Sequence, residues 1–542
     1  HRPDGSVAID PAERRRLSSL VELVERRPQL PIALRPTPET VDALAAGGPE
    51  DIVLLDRIVA LAATHTVLGG PYVPVDEEAL RAAGLDLLVA DLQNAGVTSL
   101  LTNVGDPVMT IAQADPSDNA DTLLLRRDLG AHHVLVDERT LEPLDEADFP
   151  AVLLQAFVLE DAVGAPMRAF ATDDTLRALA DRLDDPELDA DRAWLTQQFV
   201  ADLVAGYSDD PDLRRGTVVV LPDDWDPTVA RADALLSTLT AVPTLRLTGL
   251  TTLLDTAEVA SPDGQRPPAR GSTSGTEAPK PLVRTLAPEP TDDLGPYATR
   301  YDQTSRRLRA FNAIVAGGVV TTPAHTLQRI SADERLRDDE RRRYLDGADD
   351  LVDAALDPDG EGGLIGPGSQ RVTMTSRRAT IPIQIENRLG FAANVRVEVR
   401  SEKLDFPDGW FREVTLAPGP NTIEIAVESK VSGDSLLEVT VLPPEGDASL
   451  GPLTRGTFTV RSTALSGVGV VLSALAVTVL LIWWGKHLVR SRHAKRHGAT
   501  PSAETAADGS TTAAPGDATI PGEPHTDELA PTPSEPLTRT EP

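Results

Sequence analysis

The stretch "TIPIQIEN", residues 380–387, places isoleucine at every second position, so that Ile381, Ile383 and Ile385 share one face. Period two marks a half-buried strand, because successive side chains point to opposite sides of the pleat. The pattern returns in "NVRVEVRS" (394–401), with Val395, Val397 and Val399, and in "NTIEIAVES" (421–429), with Ile423, Ile425 and Val427. "SLLEVTVL" (435–442) and "GTFTVRS" (456–462) continue it, and "PDG", "APGPN" and "VSGD" supply turns between the runs. Short strands at this spacing predict an immunoglobulin-like β-sandwich over 370–462. Pro382 has no N–H to give to a ladder and belongs on a strand edge. The run of residues shows no exposed aromatic cluster, so the sandwich reads as a spacer rather than a binding module.

Downstream, "LSGVGVVLSALAVTVLLIWW" (465–484) carries no charge, and Lys486, Arg490, Arg492, Lys495 and Arg496 follow at once. Twenty such residues at ~1.5 Å rise reach ~30 Å, a bilayer core, and the one-sided basic flank marks the cytoplasmic end. The expectation is a single transmembrane helix at 465–484, with everything before it outside the plasma membrane. The segment 485–542, first basic and then rich in Pro, Thr, Ala and acid, predicts a disordered cytoplasmic tail.

Upstream, residues 1–260 alternate strand-like runs ("LPIAL", "HTVLGG", "TSLLT", "HHVLVD", "AVLLQAF", "GTVVVL", "LRLTGL") with helix-like ones. That alternation predicts an α/β domain with a largely parallel sheet. The lack of a Gly-rich phosphate loop favours an irregular barrel over a dinucleotide fold. Residues 261–280 form a polar linker, and 281–365 a helical segment packing on the barrel. There, Ser331 followed by Glu334 has the spacing of a capping box.

The whole chain of 542 residues carries a net charge of −33, which argues against nucleic acid as a partner. It contains no cysteine, so disulfides and thiolate chemistry are excluded. No cofactor is expected, and no metal site.

Barrel sites lie where strands end and helices begin. Three acids stand there as candidate catalytic residues: Asp137 after "HHVLVD", Asp173 after "AFAT" and Asp224 in "VVVLPDDWDP". Paired carboxylates suit acid–base work on a glycosidic bond. A simpler role competes with chemistry, because Asp before a helical run is a cap; Asp174 and Asp226 (before Pro227) fit that role. His132 and His133 are adjacent in a strand and point to opposite faces, so they make no ligand pair. Tyr72, in "GGPYVP" (69–74), is the candidate ligand-binding residue, and Asp76 caps the helix after it.

The motifs "VLGGPYVPVDEEALRAAGL", "RGTVVVLPDDWDP", "SADERLRDDERRRYLD", "VTMTSRRATIPIQIENRLG" and "FTVRSTALSGVGVVLSALAVTVLLIWWGKHLVRSRHAKR" resemble a family of uncharacterised exported actinobacterial proteins. The resemblance implies outer domains, one span and a short basic tail. It also implies residues preceding His1 and genes near that of a lipid II flippase. Partners would then be the membrane through 465–484 and peptidoglycan-synthesis proteins or cell-wall glycan. The function expected is a non-catalytic envelope protein that binds or scaffolds. The alternative is a carbohydrate-active hydrolase. The metal motif of "TFDDGP" type found in polysaccharide deacetylases is absent, and the family supplies no catalytic residue to carry over.

Overall fold

A computed structural model describes residues 1–144, 154–188, 190–208, 215–221, 225–226, 228–261, 280–315, 322–357, 360, 363–444, 449–463 and 467–493. The linker at 262–279, Asp224 and the tail from 494 lie outside the described residues. The chain divides into two units, His1–Ala464 and Leu465–Pro542.

The first unit opens with α1 (Pro11–Arg26), β1 (Ala33–Leu34), α2 (Pro38–Ala45), α3 (Pro49–Ala62) and β2 (Thr66–Val67). Then come α4 (Glu77–Ala82), α5 (Asp86–Asn103), β3 (Ile111–Gln113), α6 (Ala120–Asp128), β4 (His133–Asp137), β5 (Phe157–Glu160) and β6 (Pro166–Thr172). α7 (Asp174–Asp184), α8 (Arg192–Ser208), α9 (Val229–Ala241), α10 (Leu250–Thr256) and β7 (Val283–Arg284) complete this part. β1 and β2 pair in parallel, and Leu68 bridges in parallel to Val108 just before β3. β3, β4 and β6 are parallel neighbours in a sheet of order β3-β4-β6-β5-β7. The carboxyl ends of β1, β2, β3, β4 and β6 therefore lie along one edge.

The barrel expectation needs correction in two respects. Among the described residues the strand order does not close on itself, and β5 runs antiparallel to β6. The hairpin is made by its turn: Gly164 adopts φ +74°, and buried Asp161 accepts the backbone N–H groups of Val163 and Ala165. Chain segments read as strands also change type. "TSLLT" (98–102) is the last part of α5, because Leu88, Val89, Leu92, Gly96, Ser99 and Leu100 form one buried helical face. "LRLTGL" (245–250) runs irregularly into α10. β3 and the hairpin strand β6 were not legible as strands.

The helical segment is α11 (Gly295–Ile314), α12 (Thr322–Ile330) and α13 (Asp338–Leu356). Ser331 does not start a helix. It follows α12, buried, with its hydroxyl donating to the Gln328 carbonyl at 2.6 Å and bonded to Tyr297 Oη at 3.0 Å. α13 begins seven residues later, where Glu340 reaches back to the Arg337 N–H at 3.0 Å.

The sandwich comprises β8 (Leu364–Ile365), β9 (Gln370–Met374), β10 (Arg378–Asn387), β11 (Ala393–Arg400), β12 (Leu404–Asp405), β13 (Phe411–Leu416), β14 (Gly419–Ser429), β15 (Gly433–Leu442) and β16 (Thr454–Ser462). One sheet runs β12-β14-β10-β8 and the other β13-β11-β15-β16-β9. Ile381, Ile383, Ile385, Val395, Val397, Val399, Ile423, Ile425 and Val427 all face the shared core, as their alternation predicts. Pro382 pairs with Glu424 of β14, while β8 meets β10 only at Glu386 and Asn387, so nothing needs an N–H from Pro382.

The second unit contains α14 (Gly467–His493). The expected transmembrane helix is corrected here: among the described residues, no helix is long and apolar enough to cross a membrane.

Candidate functional site

β4 and β6 are neighbours, with Asp137 opposite Thr172 in parallel register. The acids that follow these strands, Asp137 and Asp173, are thereby brought to one sheet edge. Both oxygens of Asp137 and one of Asp173 are already engaged. Asp137 Oδ1 accepts the Arg139 backbone N–H at 2.9 Å, and Oδ2 accepts its guanidinium at 2.7 Å. The bond to Arg139 holds the Asp137 carboxyl below the usual carboxylate range. Asp173 is the N-cap of α7, accepting the Leu176 N–H at 3.0 Å. It takes the role expected of Asp174, one residue on. Asp226 is not the N-cap of α9, which starts at Val229 behind Thr228.

Glu138 sits between these groups, half-buried. Burial raises its carboxyl above the ordinary range. Arg284 opposes that, and Asp173, Asp137 and Asp174 add to it. Arg284 lies 5.4 Å from the Phe157 ring centroid and donates to the Glu142 carbonyl at 3.0 Å. At the opposite end of β4, away from these acids, His133 is held below its usual range by burial first and then by Arg168. Two adjacent acids thus have their proton affinities pushed apart, an arrangement that can separate a proton donor from an anion.

Tyr72 lies elsewhere, in the core of α4, α5 and α11, and is 3 % exposed. Its backbone is stapled on both sides: its N–H donates to the Leu92 carbonyl at 2.9 Å, and its carbonyl accepts the Glu39 N–H at 3.0 Å. Burial, followed by Asp42 and Glu39, raises the phenol, so its hydroxyl stays neutral. A shallow hollow beside this loop is lined by Arg35, Pro36, Thr37, Pro38, Gly70, Pro71 and Pro74. Asp137, Asp173 and the Tyr72 ring are not among its walls.

A further group of acids lies beyond β3, whose three residues are too few to show a strand period in the sequence. Beyond its carboxyl end, "ADPSDN" folds so that Asp115 and Asp118 meet Arg126 of α6. Arg126 Nε donates to Asp118 at 2.8 Å and Nη2 to Asp115 at 2.8 Å, and Glu77 of α4 lies 3.4 Å away. Gln93 of α5 holds the other Glu77 oxygen at 2.9 Å. Burial above all, opposed by Arg126, pushes Asp115 up to about 7. The guanidinium occupies the place a cation would take. Among the described residues no group of three or more His, Asp and Glu is set to hold a metal ion.

Residues 168–500 match the "Family of unknown function (DUF6049)". No curated protein matches the chain. Among solved structures, an α-amylase from Thermotoga maritima is similar at 10 % identity and TM-score 0.40, over 63 % of this chain and 88 % of that one. An α-mannosidase from Enterococcus faecalis is similar at 12 % identity and TM-score 0.41, over 80 % and 54 %. The native α-2-macroglobulin of E. coli matches 19 % of this chain and 7 % of its own, at 19 % identity and TM-score 0.16. TM-scores this far below 0.5 bear on neither fold nor chemistry.

Proposed function

The chain belongs to the family of unknown function DUF6049, and we propose that it is a non-catalytic cell-envelope protein which binds or scaffolds the machinery of cell-wall biogenesis. The observation that carries this reading is the engagement of Asp137 and Asp173. One is held by the backbone and guanidinium of Arg139, the other by the first turn of α7. An acid that serves as a cap has its lone pairs directed at backbone N–H groups instead of a substrate. The resemblance set out above supplies the cellular setting, outside the cell and beside peptidoglycan synthesis. Crosslinking in intact host cells followed by co-purification tests it. Recovery of an envelope-synthesis protein is expected; recovery of none from repeated crosslinking overturns the reading.

A second reading is favoured by one observation, the raised carboxyl of Glu138 beside the lowered one of Asp137. A glycan hydrolase could use the first as acid and the second as anion. It predicts release of reducing ends from cell-wall glycan by the full chain, lost on Glu138→Gln. Absence of release by the unsubstituted chain removes this reading.

A further inference from the structure

The sandwich carries a feature that its sequence conceals. Trp410 and Phe411, at the start of edge strand β13, are 47 % and 42 % exposed. Their rings meet edge to face, with centroids 5.1 Å apart at 67°. The guanidinium of Arg396, on neighbouring β11, lies 3.9 Å from the Phe411 centroid and 5.2 Å from that of Trp410. The register puts Phe411 opposite Glu398 and Glu413 opposite Arg396, all on the face turned away from the core. Glu398 in turn bridges Arg396 at 3.3 Å and Arg400 at 3.5 Å. Along the same face, Thr415 donates to Asn394 at 2.8 Å, at the wall of a hollow that also includes Glu413, Ala313 and Pro444.

Two neighbouring rings, each a little under half exposed, form a small apolar patch rimmed by charged groups, and apolar patches with a polar rim mark places of contact. The surroundings select the partner. An apolar groove for a protein helix is missing, because the rings stand among Arg396, Arg400, Glu398 and Glu413, two charges of each sign. Pairing of a peptide with the free edge of β13 is opposed by Arg412, whose guanidinium reaches over to the Glu424 carbonyl of the opposite sheet at 3.3 Å. Charged groups at an edge are the usual protection against an added strand. A ligand suited to the face has an apolar side for a ring and many neutral hydroxyls for fixed donors and acceptors, and it is extended. A pyranose ring fits: its C–H face stacks on an aromatic ring, and its hydroxyls meet the Arg–Glu pairs. The face from Phe411 to Thr415 is ~14 Å long, enough for consecutive sugars.

We propose that the outer face of β13 and β11, from Trp410 to Thr415, is a binding site for an uncharged polysaccharide of pyranose units. It deepens the binding reading above and rests on it, with Trp410 as stacking platform and with Arg396, Glu398, Glu413 and Asn394 as the hydrogen-bonding groups. The test is calorimetric titration of the full chain with two soluble probes, a β-1,4-linked glucose hexamer and a β-1,4-linked N-acetylglucosamine hexamer. At least one is expected to bind. Trp410→Ala and Arg396→Gln should each weaken it by about tenfold or more, the scale of losing a central contact. Trp410→Tyr keeps a ring and should stay within about threefold. Thermal unfolding of each variant separates loss of the site from loss of the fold. Binding that Trp410→Ala leaves unchanged overturns this site while the envelope-binding reading stands. Binding of neither hexamer overturns the sugar assignment, and so does capture of an acidic peptide in its place. The crosslinking experiment judges the broader reading separately.

Discussion

Gly96, in the middle of α5, approaches Gly70 so closely that a Cβ placed on it would sit 2.2 Å from the Gly70 carbonyl oxygen. The same Cβ would lie 2.9 Å from the Pro71 carbonyl carbon and 3.0 Å from the Tyr72 nitrogen. The loop after β2 is thus laid directly on a helix backbone. That contact fixes Tyr72, whose N–H meets Leu92 one turn earlier in α5.

Gly96→Ala should therefore destabilise the chain, although Ala favours helix by up to ~1 kcal/mol over Gly. A methyl forced into backbone atoms costs ~1–3 kcal/mol through displacement of packed neighbours. Urea unfolding is expected to show a net loss of ~1–2 kcal/mol; a gain in stability would mean that loop and helix do not touch.

Arg126 is the second pressure point. Its side chain is 9 % exposed and faces Asp118, at 0 %, and Glu77, at 1 %. Replacing it by Met leaves buried carboxylates without their counter-ion, which costs ~3–5 kcal/mol. That is between about a fifth and the whole of a typical domain's stability of ~5–15 kcal/mol. Denaturant titration of Arg126→Met checks this, and a loss below ~1 kcal/mol would show that the cluster does not hold α4 and α6 together.

Asp115 makes that cluster sensitive to pH. Its folded-state value is about 7, against ~3.9 in an unfolded chain. Between those values the folded chain binds the extra proton. Stability then falls as pH rises, since the slope follows the difference in bound protons. The contribution is complete below ~pH 4 and gone above ~pH 7. Asp115→Asn should remove this part of the slope, so the difference in unfolding free energy between variant and parent should change steadily from pH 4.5 to 7.5. A constant difference across that range would place the Asp115 value near the ordinary one.

Legibility followed the strength of the local signal. In β10, β11 and β14 each side chain is sorted by one rule, inward or outward, so the alternation at Ile381, Val395 and Ile423 reads directly onto the core. The parallel strands gave a fainter signal: β3 has three residues and β1 and β2 two each, too few to show a period. "TSLLT" misleads because five consecutive residues at the end of a helix, only Ser99 and Leu100 of them on the buried face that begins at Leu88, resemble a strand when read alone. Ser331 misled because a capping-box spacing fits any Ser three residues before a Glu, whereas tertiary contact with Tyr297 claimed the hydroxyl. The rule of strand ends finds Asp137 behind β4, a strand legible in the sequence; Asp173 is singled out beside it although β6, the strand it follows, is not legible as one. The Asp115 cluster, under the same rule, was missed along with its strand. The aromatic pair at Trp410 was hidden for another reason. Exposure of a ring depends on which face and which edge its strand occupies, and that is settled only by pairing with β11.

Asp173 separates capping from catalysis. As a cap it accepts the Leu176 N–H at 3.0 Å, and α7 packs Leu176, Leu179, Ala180 and Leu183 against Leu195 and Phe199 of α8 and Leu239 of α9. Losing the cap frays the first turn of α7 and loosens that cluster. Asp173→Ala should then cost ~1 kcal/mol, whereas Asp173→Asn, with Asn about as good an N-cap as Asp, should cost almost nothing. A catalytic acid predicts a different pattern: both substitutions would abolish glycan turnover, and Asn would do so at unchanged stability. Unfolding curves and a reducing-end assay on the same three proteins decide between them. A stability loss confined to the Ala variant, with no turnover in any of the three, is the expected result. Turnover in the unsubstituted chain that vanishes with Asn would make Asp173 part of an active site.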